Sequence, residues 1–191
     1  MTTPADASLL PVLPTSAAQL LARLNDLGIP AVTHHHPPVF TVEESQALRG
    51  TLPGVHCKNL LLRDRKHRLW LLVCREDRVL NLKSLRNPLG AAASLSFATP
   101  EVLFEVLGVT PGSVTPFGLI NDREHRVTPV IDAALLTYQQ TYFHPLRNDM
   151  STAIAPQGLL DFIRACGHPV ISLDLDAVPP TGAGISVFPG S

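Results

Sequence analysis

Lys58 is the residue whose placement most strongly suggests chemistry, because it interrupts the otherwise apolar run VHCKNLLL. Side chains alternate between the two faces of a β-strand, so Lys58 shares a face with His56 and Leu60. An ammonium among core-facing neighbours is costly unless it meets an anion or lies in a cleft. The alternative is an edge position, in which the stem is buried and the ammonium stays in water. Lys58 is therefore predicted either to bind a ligand or to point to solvent.

A second concentration of polar groups lies in FHPLRNDMSTAI, which runs directly into an apolar strand. A binding pocket can use such a set of side chains, and a surface turn can equally carry them. Asn148 and Asp149 readily bond neighbouring backbone groups, and Arg147 can pair with Asp149 or Asp122. For the Arg-Asn-Asp run we favour a turn network over substrate contact.

Several familiar chemistries are not indicated. His34 and His36 would project from one face of a strand, but no carboxylate or cysteine follows at ligand spacing. Cys57 adjoins Lys58 on the opposite strand face, which favours a buried structural thiol over a nucleophile. The sequence has no nucleophile elbow and no glycine-rich nucleotide-binding motif. We predict no metal and no cofactor, and a hydrolytic reaction would rely on a positioned water.

Composition limits the size and setting of the protein. The chain has 191 residues, of which 45% are hydrophobic, and this predicts a single domain. The net charge of -1 means that nucleic-acid contact would need a local basic patch. The first residues lack a basic n-region and a long apolar run, which predicts a cytoplasmic protein without membrane contact. We expect a flexible segment at residues 1–14, the domain at 15–176 and a mobile tail at 177–191.

Helix and strand signals alternate along the chain. A first helix is expected to begin after Thr15 or Ser16 and to end near Gly28. GVHCKNLLLRDRKHRLWLLVCR predicts an antiparallel hairpin at the centre of a sheet. Thr99 is expected to cap a helix that begins at Pro100, and TVEESQALRG, NLKSLRNPLG and PQGLLDFIRACG predict further helices. The pattern indicates an α/β fold with helices around a mixed sheet.

Four separated motifs carry a resemblance to a known family: HPPVFTVEES, CKNLLLRD, GVTPGSVTPFGLIND and FHPLRNDMSTAI. Their order and spacing resemble the editing-domain family of prolyl-tRNA synthetase, and in particular its free-standing YbaK/ProX-like bacterial members, the trans-acting Ala-tRNA(Pro) deacylases. The similarity runs from about Leu20 to about Leu175. It implies a single α/β domain whose mixed, mostly antiparallel and partly barrel-like sheet is surrounded by helices.

The resemblance also implies a task in error correction. A synthetase pocket built for proline cannot fully exclude the smaller alanine, because a missing methylene costs only about 1 to 3 kcal/mol. A second, smaller site then hydrolyses the wrong ester. The implied partners are tRNA(Pro) mischarged with alanine and, through transient contact, prolyl-tRNA synthetase. The ester is already activated, and the ribose 2'-hydroxyl can assist a bound water, so no catalytic triad is needed.

Carried over by motif, the candidate catalytic residues are Lys58, Asn59, Gly112 and His144. Lys58 would neutralise a phosphate or hold the ester carbonyl as charge develops, and Gly112 begins a G-x-x-x-P loop that lines the aminoacyl pocket. His144 would help to set the pocket size. The candidate substrate-binding residues are Pro116, Phe117, Pro145, Arg147, Asp149, Arg65 and Lys66. The sequence departs from the family pattern at Phe143, where a glycine is expected.

Contact with RNA requires cations, and the hairpin tip RDRKHR supplies them. Arg65 and Lys66 are its central members, and Lys83 and Arg86 form a second basic group. Each of these side chains alone is more typical of a solvated turn or helix face. Together they predict weak, salt-dependent docking of tRNA phosphates.

Two other functions remain compatible with the sequence. One is a deacylase of the same fold that acts on Cys-tRNA(Pro) or on a tRNA carrying serine or threonine. The other is a non-catalytic tRNA-binding relative, for which Lys58 would be dispensable.

Overall fold

The computed structural model describes residues 14–37 and 54–178. The predicted helix at TVEESQALRG and most of the two predicted mobile ends lie outside these residues. The helices are α1 (Ala17–Asp26), α2 (Leu82–Leu85), α3 (Pro100–Leu107) and α4 (Pro156–Ala165), with 3-10 turns at Pro116–Ile120 and Ala133–Thr137. The strands are β1 (Ala31–His35), β2 (Val55–Arg63), β3 (Leu69–Arg75), β4 (Ser96–Phe97), β5 (Val127–Asp132), β6 (Thr141–Phe143), β7 (Met150–Ile154) and β8 (Ile171–Leu173).

The strands form one eight-stranded mixed sheet in the order β1-β7-β6-β2-β3-β5-β8, with β4 added to β2. The pairings β1–β7, β6–β7, β2–β3 and β2–β4 are antiparallel, and β2–β6, β3–β5 and β5–β8 are parallel. The predicted mixed, mostly antiparallel α/β domain is confirmed. The described strands pair in an open order rather than a closed ring.

The central hairpin is buried on both faces, which explains its nearly continuous apolar sequence. Leu61, Leu71 and Val73 point into the larger core cluster, which includes Phe117 and Phe162 from outside the hairpin. The alternate side chains of β2 and β3 enter a second cluster, whose members include Leu60, Leu62, Trp70, Leu72 and Cys74. The hairpin is thus a rigid wall between two cores, and its side chains are fixed in direction.

Local capping signals place the helices where the sequence predicts them. Ser16 caps α1 and forms a capping box with Gln19. Thr99 caps α3, Pro100 is its first residue, and Gly108 ends it in a left-handed conformation with φ of 66°. Within the described parts of the chain, no helix is both long and apolar enough to cross a membrane.

Candidate functional site

Lys58 is buried, with only 3% of its surface exposed, so the predicted alternative of a solvent-directed ammonium is wrong. It lies in a central strand, and its side chain enters the second core beside Cys74, its partner in β3. The ammonium donates a hydrogen bond to the backbone carbonyl oxygen of Arg78. Burial lowers the pKa of Lys58, and the nearby carboxylates of Glu76 and Asp77 offset this only in part.

The carbonyl group that Lys58 contacts belongs to an anchored turn. The Arg78 guanidinium lies 2.9 Å from the buried carboxylate of Asp132 and 2.8 Å from that of Asp176. Because Asp132 is fully buried, this ion pair fixes the turn after β3. Lys58 is therefore held in one position, and within the described residues one of its three N–H donors is bound.

Asn59 leaves β2 on the opposite face and contacts the predicted G-x-x-x-P loop. Its side-chain amide donates to the backbone carbonyl oxygen of Val114 at 3.0 Å. Gly112, two residues earlier, is exposed and has φ of +84°, a conformation that favours glycine. A Cβ at Gly112 would meet nothing within 4 Å, so the glycine is required here by backbone conformation rather than by space.

Pro116 and Phe117 continue this loop into the core. Both residues are buried, and the Phe117 ring packs edge-on against Phe143 at 6.0 Å and against Phe162 at 5.3 Å. Phe117 is fully buried, which favours support of the loop over direct contact with a substrate. Phe143, where the family pattern has a glycine, also directs its ring into the larger core and has no positive φ. Its ring therefore does not fill the surface around His144.

The hydrogen bonding of His144 defines which of its two ring nitrogens carries the proton. Its Nδ1–H donates to the backbone carbonyl oxygen of Met150 at 2.9 Å, because a carbonyl can only accept. In the neutral ring Nε2 is consequently a lone-pair acceptor, and it bonds to no described residue. Burial lowers the pKa of His144, which favours this neutral form. The following Pro145 and Leu146 are buried, and Leu146 has a left-handed φ of 69°.

The side chains on this face of the sheet form a histidine-rich surface that the sequence prediction did not find. His56 stacks on Tyr142 at 4.9 Å, and the ring centroid of His34 lies 6.2 Å from that of Tyr142. The rings of His36 and His144 are 6.3 Å apart. Strand alternation places Lys58 on the same face as His56. Of the predicted catalytic residues, the structure brings Asn59 to the Gly112 loop, whereas Lys58 contacts the Arg78 turn and His144 lies beside His36.

The turn after His144 is braced as predicted for a turn network. Arg147 and Asp149 form a two-pronged ion pair with distances of 3.0 and 2.6 Å. This hydrogen bonding from Arg147 lowers the pKa of Asp149. The backbone carbonyl of Asp149 also accepts from the backbone N–H of His36 at 3.0 Å, which ties the turn to the end of β1.

Comparison with known proteins identifies the family. The model of the aminoacyl-tRNA editing domain matches residues 36–162. The chain belongs to the aminoacyl-tRNA editing domain family. It is 39% identical over 162 residues to the Xenopus laevis protein named prolyl-tRNA synthetase associated domain-containing protein 1, covering 83% of this chain and 96% of that protein.

A bacterial relative and a solved structure extend this result. The prolyl-tRNA editing protein ProX of Acetoanaerobium sticklandii is 32% identical over 157 residues, which cover 82% of this editing domain chain and 95% of ProX. A crystal structure described as a candidate trans-editing enzyme for prolyl tRNA synthetase aligns with a TM-score of 0.61 at 22% identity. That alignment covers 84% of this chain and 98% of the other, and it shows a shared fold.

The hairpin tip of this editing domain is held by a buried carboxylate. Asp64 accepts hydrogen bonds from the backbone N–H groups of Lys66, Arg68 and Ala92 and from the Arg68 guanidinium. Burial alone would raise the pKa of Asp64, but these hydrogen bonds lower it to about 2. Arg68 is occupied, since it also contacts Gly90 and lies over the Trp70 ring. Arg65 and Lys66 remain exposed, without a side-chain partner among the described residues.

Within residues 14–37 and 54–178, the remaining histidine, acidic and cysteine side chains are not arranged for metal or thiol chemistry. In the parts of the chain that the structure describes, no three His, Cys, Asp or Glu residues are grouped so that they could hold a metal ion. Burial raises the pKa of the Cys57 thiol well above its usual range and that of Cys74 to about 12. A thiol with a raised pKa is a poor nucleophile near neutral pH.

Proposed function

We propose that this editing domain is a trans-acting deacylase that hydrolyses alanine from mischarged tRNA(Pro). The observation that carries the proposal is the state of His144, whose Nδ1–H is fixed by Met150 and whose Nε2 is an acceptor with no partner among the described residues. Membership of the aminoacyl-tRNA editing family supports the reaction class, and the bacterial relative named a prolyl-tRNA editing protein supports the tRNA.

The proposed reaction is attack of water on the ester carbonyl carbon. The bond from that carbon to the ribose 3'-oxygen breaks, which releases alanine and the free hydroxyl of the terminal adenosine. The water proton passes to the leaving oxygen through the vicinal 2'-hydroxyl. Two of the N–H donors of Lys58 have no acceptor among the described residues, and with these it would stabilise the developing oxyanion or a terminal phosphate.

Selection against proline is proposed to be steric. His144 and Pro145 would form the wall that the amino acid meets, and Phe143, which directly precedes them, packs edge-on against Phe117 in the core. A well-packed support makes the wall resistant to displacement, because overpacking a core costs about 1 to 3 kcal/mol. Alanine would fit this space and the pyrrolidine ring would not.

Phosphate contacts are proposed at the hairpin tip. Lys58 lies on β2 and Asp64 directly follows this strand, so the two are six residues apart, which corresponds to about 20 Å at 3.3 Å per residue. Arg65 and Lys66 beyond Asp64 are exposed cations without a side-chain partner in residues 14–37 and 54–178, so a terminal single strand can extend along the hairpin from the pocket to the tip. We expect the protein to work in the cytoplasm, beside prolyl-tRNA synthetase, where charged tRNA is made.

A deacylation panel tests the proposal. Catalytic amounts of protein are mixed with tRNA(Pro) that carries Ala, Cys or Ser. Other tRNAs that carry serine or threonine are tested in the same way. The proposal predicts turnover of Ala-tRNA(Pro) well above the other esters. Preferred turnover of Cys-tRNA(Pro) or of a serine or threonine ester would identify a different editing substrate, and absence of turnover on all esters would exclude a deacylase.

A non-catalytic tRNA-binding role is the second candidate, and the burial of Lys58 against the Arg78 carbonyl favours it. In that role Lys58 stabilises the turn after β3 and makes no contact with substrate. A binder in excess over Ala-tRNA(Pro) would slow the spontaneous hydrolysis of the ester, whereas a deacylase would accelerate it. The same assay therefore separates the two roles by the sign of the effect.

A further inference from the structure

The face that carries His144 also holds a hydrogen-bonded pair that the mechanism above does not use. His36 follows β1, and Ser151 lies in β7, directly after Met150, whose carbonyl holds His144. Nε2 of His36 lies 2.9 Å from Oγ of Ser151. Ser151 is buried, with 6% of its surface exposed, so its hydroxyl is fixed in direction.

The polar hydrogens of His36 and Ser151 are already donated to acceptors within the protein. Nδ1 of His36 lies 2.8 Å from the carbonyl oxygen of Pro37, so this nitrogen carries the proton. Nε2 of the neutral ring then accepts, and the Ser151 hydroxyl must donate its hydrogen to it. The Nδ1–H of His144 is committed to Met150 in the same way. Among the residues that the structure describes, no further donor bonds to Ser151 Oγ or to His144 Nε2, so both atoms can accept hydrogen bonds from a ligand.

These two acceptors belong to one small cluster. The ring centroids of His36 and His144 are 6.3 Å apart, and Ser151 is bonded to the first ring. Ser151 Oγ and His144 Nε2 are therefore carried by neighbouring side chains. A group that only donates hydrogen bonds is the best match for a site that only accepts them.

We propose that Ser151 Oγ and His144 Nε2 bind the α-ammonium of the aminoacyl ester, and that His36 is the positioning residue that orients the Ser151 hydroxyl. An ammonium has three donors and no acceptor, as the cluster requires. The backbone of His36 is anchored to the carbonyl of Asp149, so the pair is tied to the His144 turn. This inference rests on the proposed function, because it assigns a subsite within the same pocket.

The assignment has a consequence for the substrate class. A peptidyl or N-acylated ester carries an amide in place of the ammonium, with a single N–H and an added acyl group. Such an ester satisfies at most one of the two acceptors and leaves the other desolvated, which is costly. The site thus selects tRNA esters with a free amino group and spares chains that are being elongated.

The test is a binding measurement that does not depend on catalysis. Two non-hydrolysable probes are compared, 3'-deoxyadenosine bearing an L-alanylamino group at the 3' position and its lactoyl counterpart, in which a hydroxyl replaces the ammonium. We expect the wild type to bind the alanyl probe about tenfold more tightly, as for hydrogen bonds to a charged group. Ser151→Ala should remove this preference and change the affinity for the lactoyl probe by less than about twofold.

Ser96→Ala is the matched control, because Ser96 is exposed on β4, and it should retain the preference. If Ser151→Ala lowers the melting temperature too far for binding to be measured, His36→Gln is measured instead. This variant should also lose the preference for the alanyl probe over the lactoyl probe. Any of three results would overturn the inference. The wild type could bind the two probes equally, the variants could weaken the binding of both probes equally, or the alanyl probe could fail to bind. Selective binding without hydrolysis of any aminoacyl-tRNA would reject the proposed function and leave the ammonium subsite in place.

Discussion

The side chains of Lys58 and Asn59 leave β2 on opposite faces, Lys58 toward the Arg78 carbonyl and Asn59 toward the Val114 carbonyl. Two adjacent residues therefore connect the same strand to two different loops. One of these loops follows the central hairpin, and the other is the G-x-x-x-P loop. Their contributions to activity should consequently be separable by mutation.

Replacement of Lys58 by methionine keeps the buried stem and removes the ammonium. If Lys58 stabilises the transition state, kcat for Ala-tRNA(Pro) should fall roughly 100-fold, as for the loss of one preorganised donor. The melting temperature should change less than in Lys58→Ala, which also leaves a cavity. A Lys58→Met protein with wild-type kcat and a lower melting temperature would assign Lys58 a purely structural role.

Replacement of Asn59 by alanine should act through the G-x-x-x-P loop. The Val114 carbonyl would lose its donor, and an unsatisfied buried group costs about 1 to 3 kcal/mol. We expect the melting temperature to fall by roughly 2 to 4 °C for each kcal/mol, together with a lower kcat/KM. Asn87→Ala, at an exposed turn position, is the control. Unchanged stability and activity in Asn59→Ala would show that the loop is held by other contacts.

The pH dependence should report the neutral state of His144. Burial lowers the pKa of His144, and the positive form of His36 adds to this effect, whereas the Met150 carbonyl and Asp149 oppose it. A lowered pKa keeps Nε2 unprotonated to lower pH, so the acid limb of kcat/KM should lie below the ordinary histidine value of about 6.5. His144→Ala should lose the limb, and His35→Gln, at an exposed position on β1, should keep it. An acid limb of kcat/KM with an apparent pKa at or above the ordinary histidine value would contradict the assignment of this limb to His144.

Asp64 should make the hairpin tip sensitive to acid. Its pKa is lowered to about 2, so its stabilising hydrogen bonds are fully present above the unfolded value and are lost as the pH falls toward the folded value. The difference in melting temperature between wild type and Asp64→Asn should be largest at neutral pH and should shrink between about pH 4 and pH 2. Asp26→Asn, at an exposed position, should show no such trend. A pH-independent difference for Asp64→Asn would reject the ionic explanation.

The hairpin tip should carry the salt dependence of tRNA binding. Each phosphate contact that is lost with Arg65→Ala or Lys66→Ala should reduce the slope of log Kd against log salt by about 0.7 to 0.9. Arg123→Ala is the control, because Arg123 is exposed and its side chain has no partner among the described residues. If Arg123→Ala reduced the salt dependence of binding as much as Arg65→Ala does, the RNA would not dock at the hairpin tip.

Much of the framework follows from local sequence signals. The hairpin was predictable because two β-rich runs flank a polar tip, and α1 and α3 were predictable from the caps at Ser16 and Thr99. The burial of Lys58 was left open because it depends on the Arg78 turn, twenty residues away. The Ser151 pair with His36 spans 115 residues. Only the strand order β1-β7-β6 creates that contact, and no local pattern records it.

Hydrolysis of Ala-tRNA(Pro) and Pro-tRNA(Pro) by the wild-type protein, measured side by side and corrected for spontaneous hydrolysis, tests the central claim most directly. We expect the alanyl ester to be cleaved more than about 100-fold faster, because the wall formed by His144 and Pro145 excludes the larger ring. Equal rates on the two esters would contradict it.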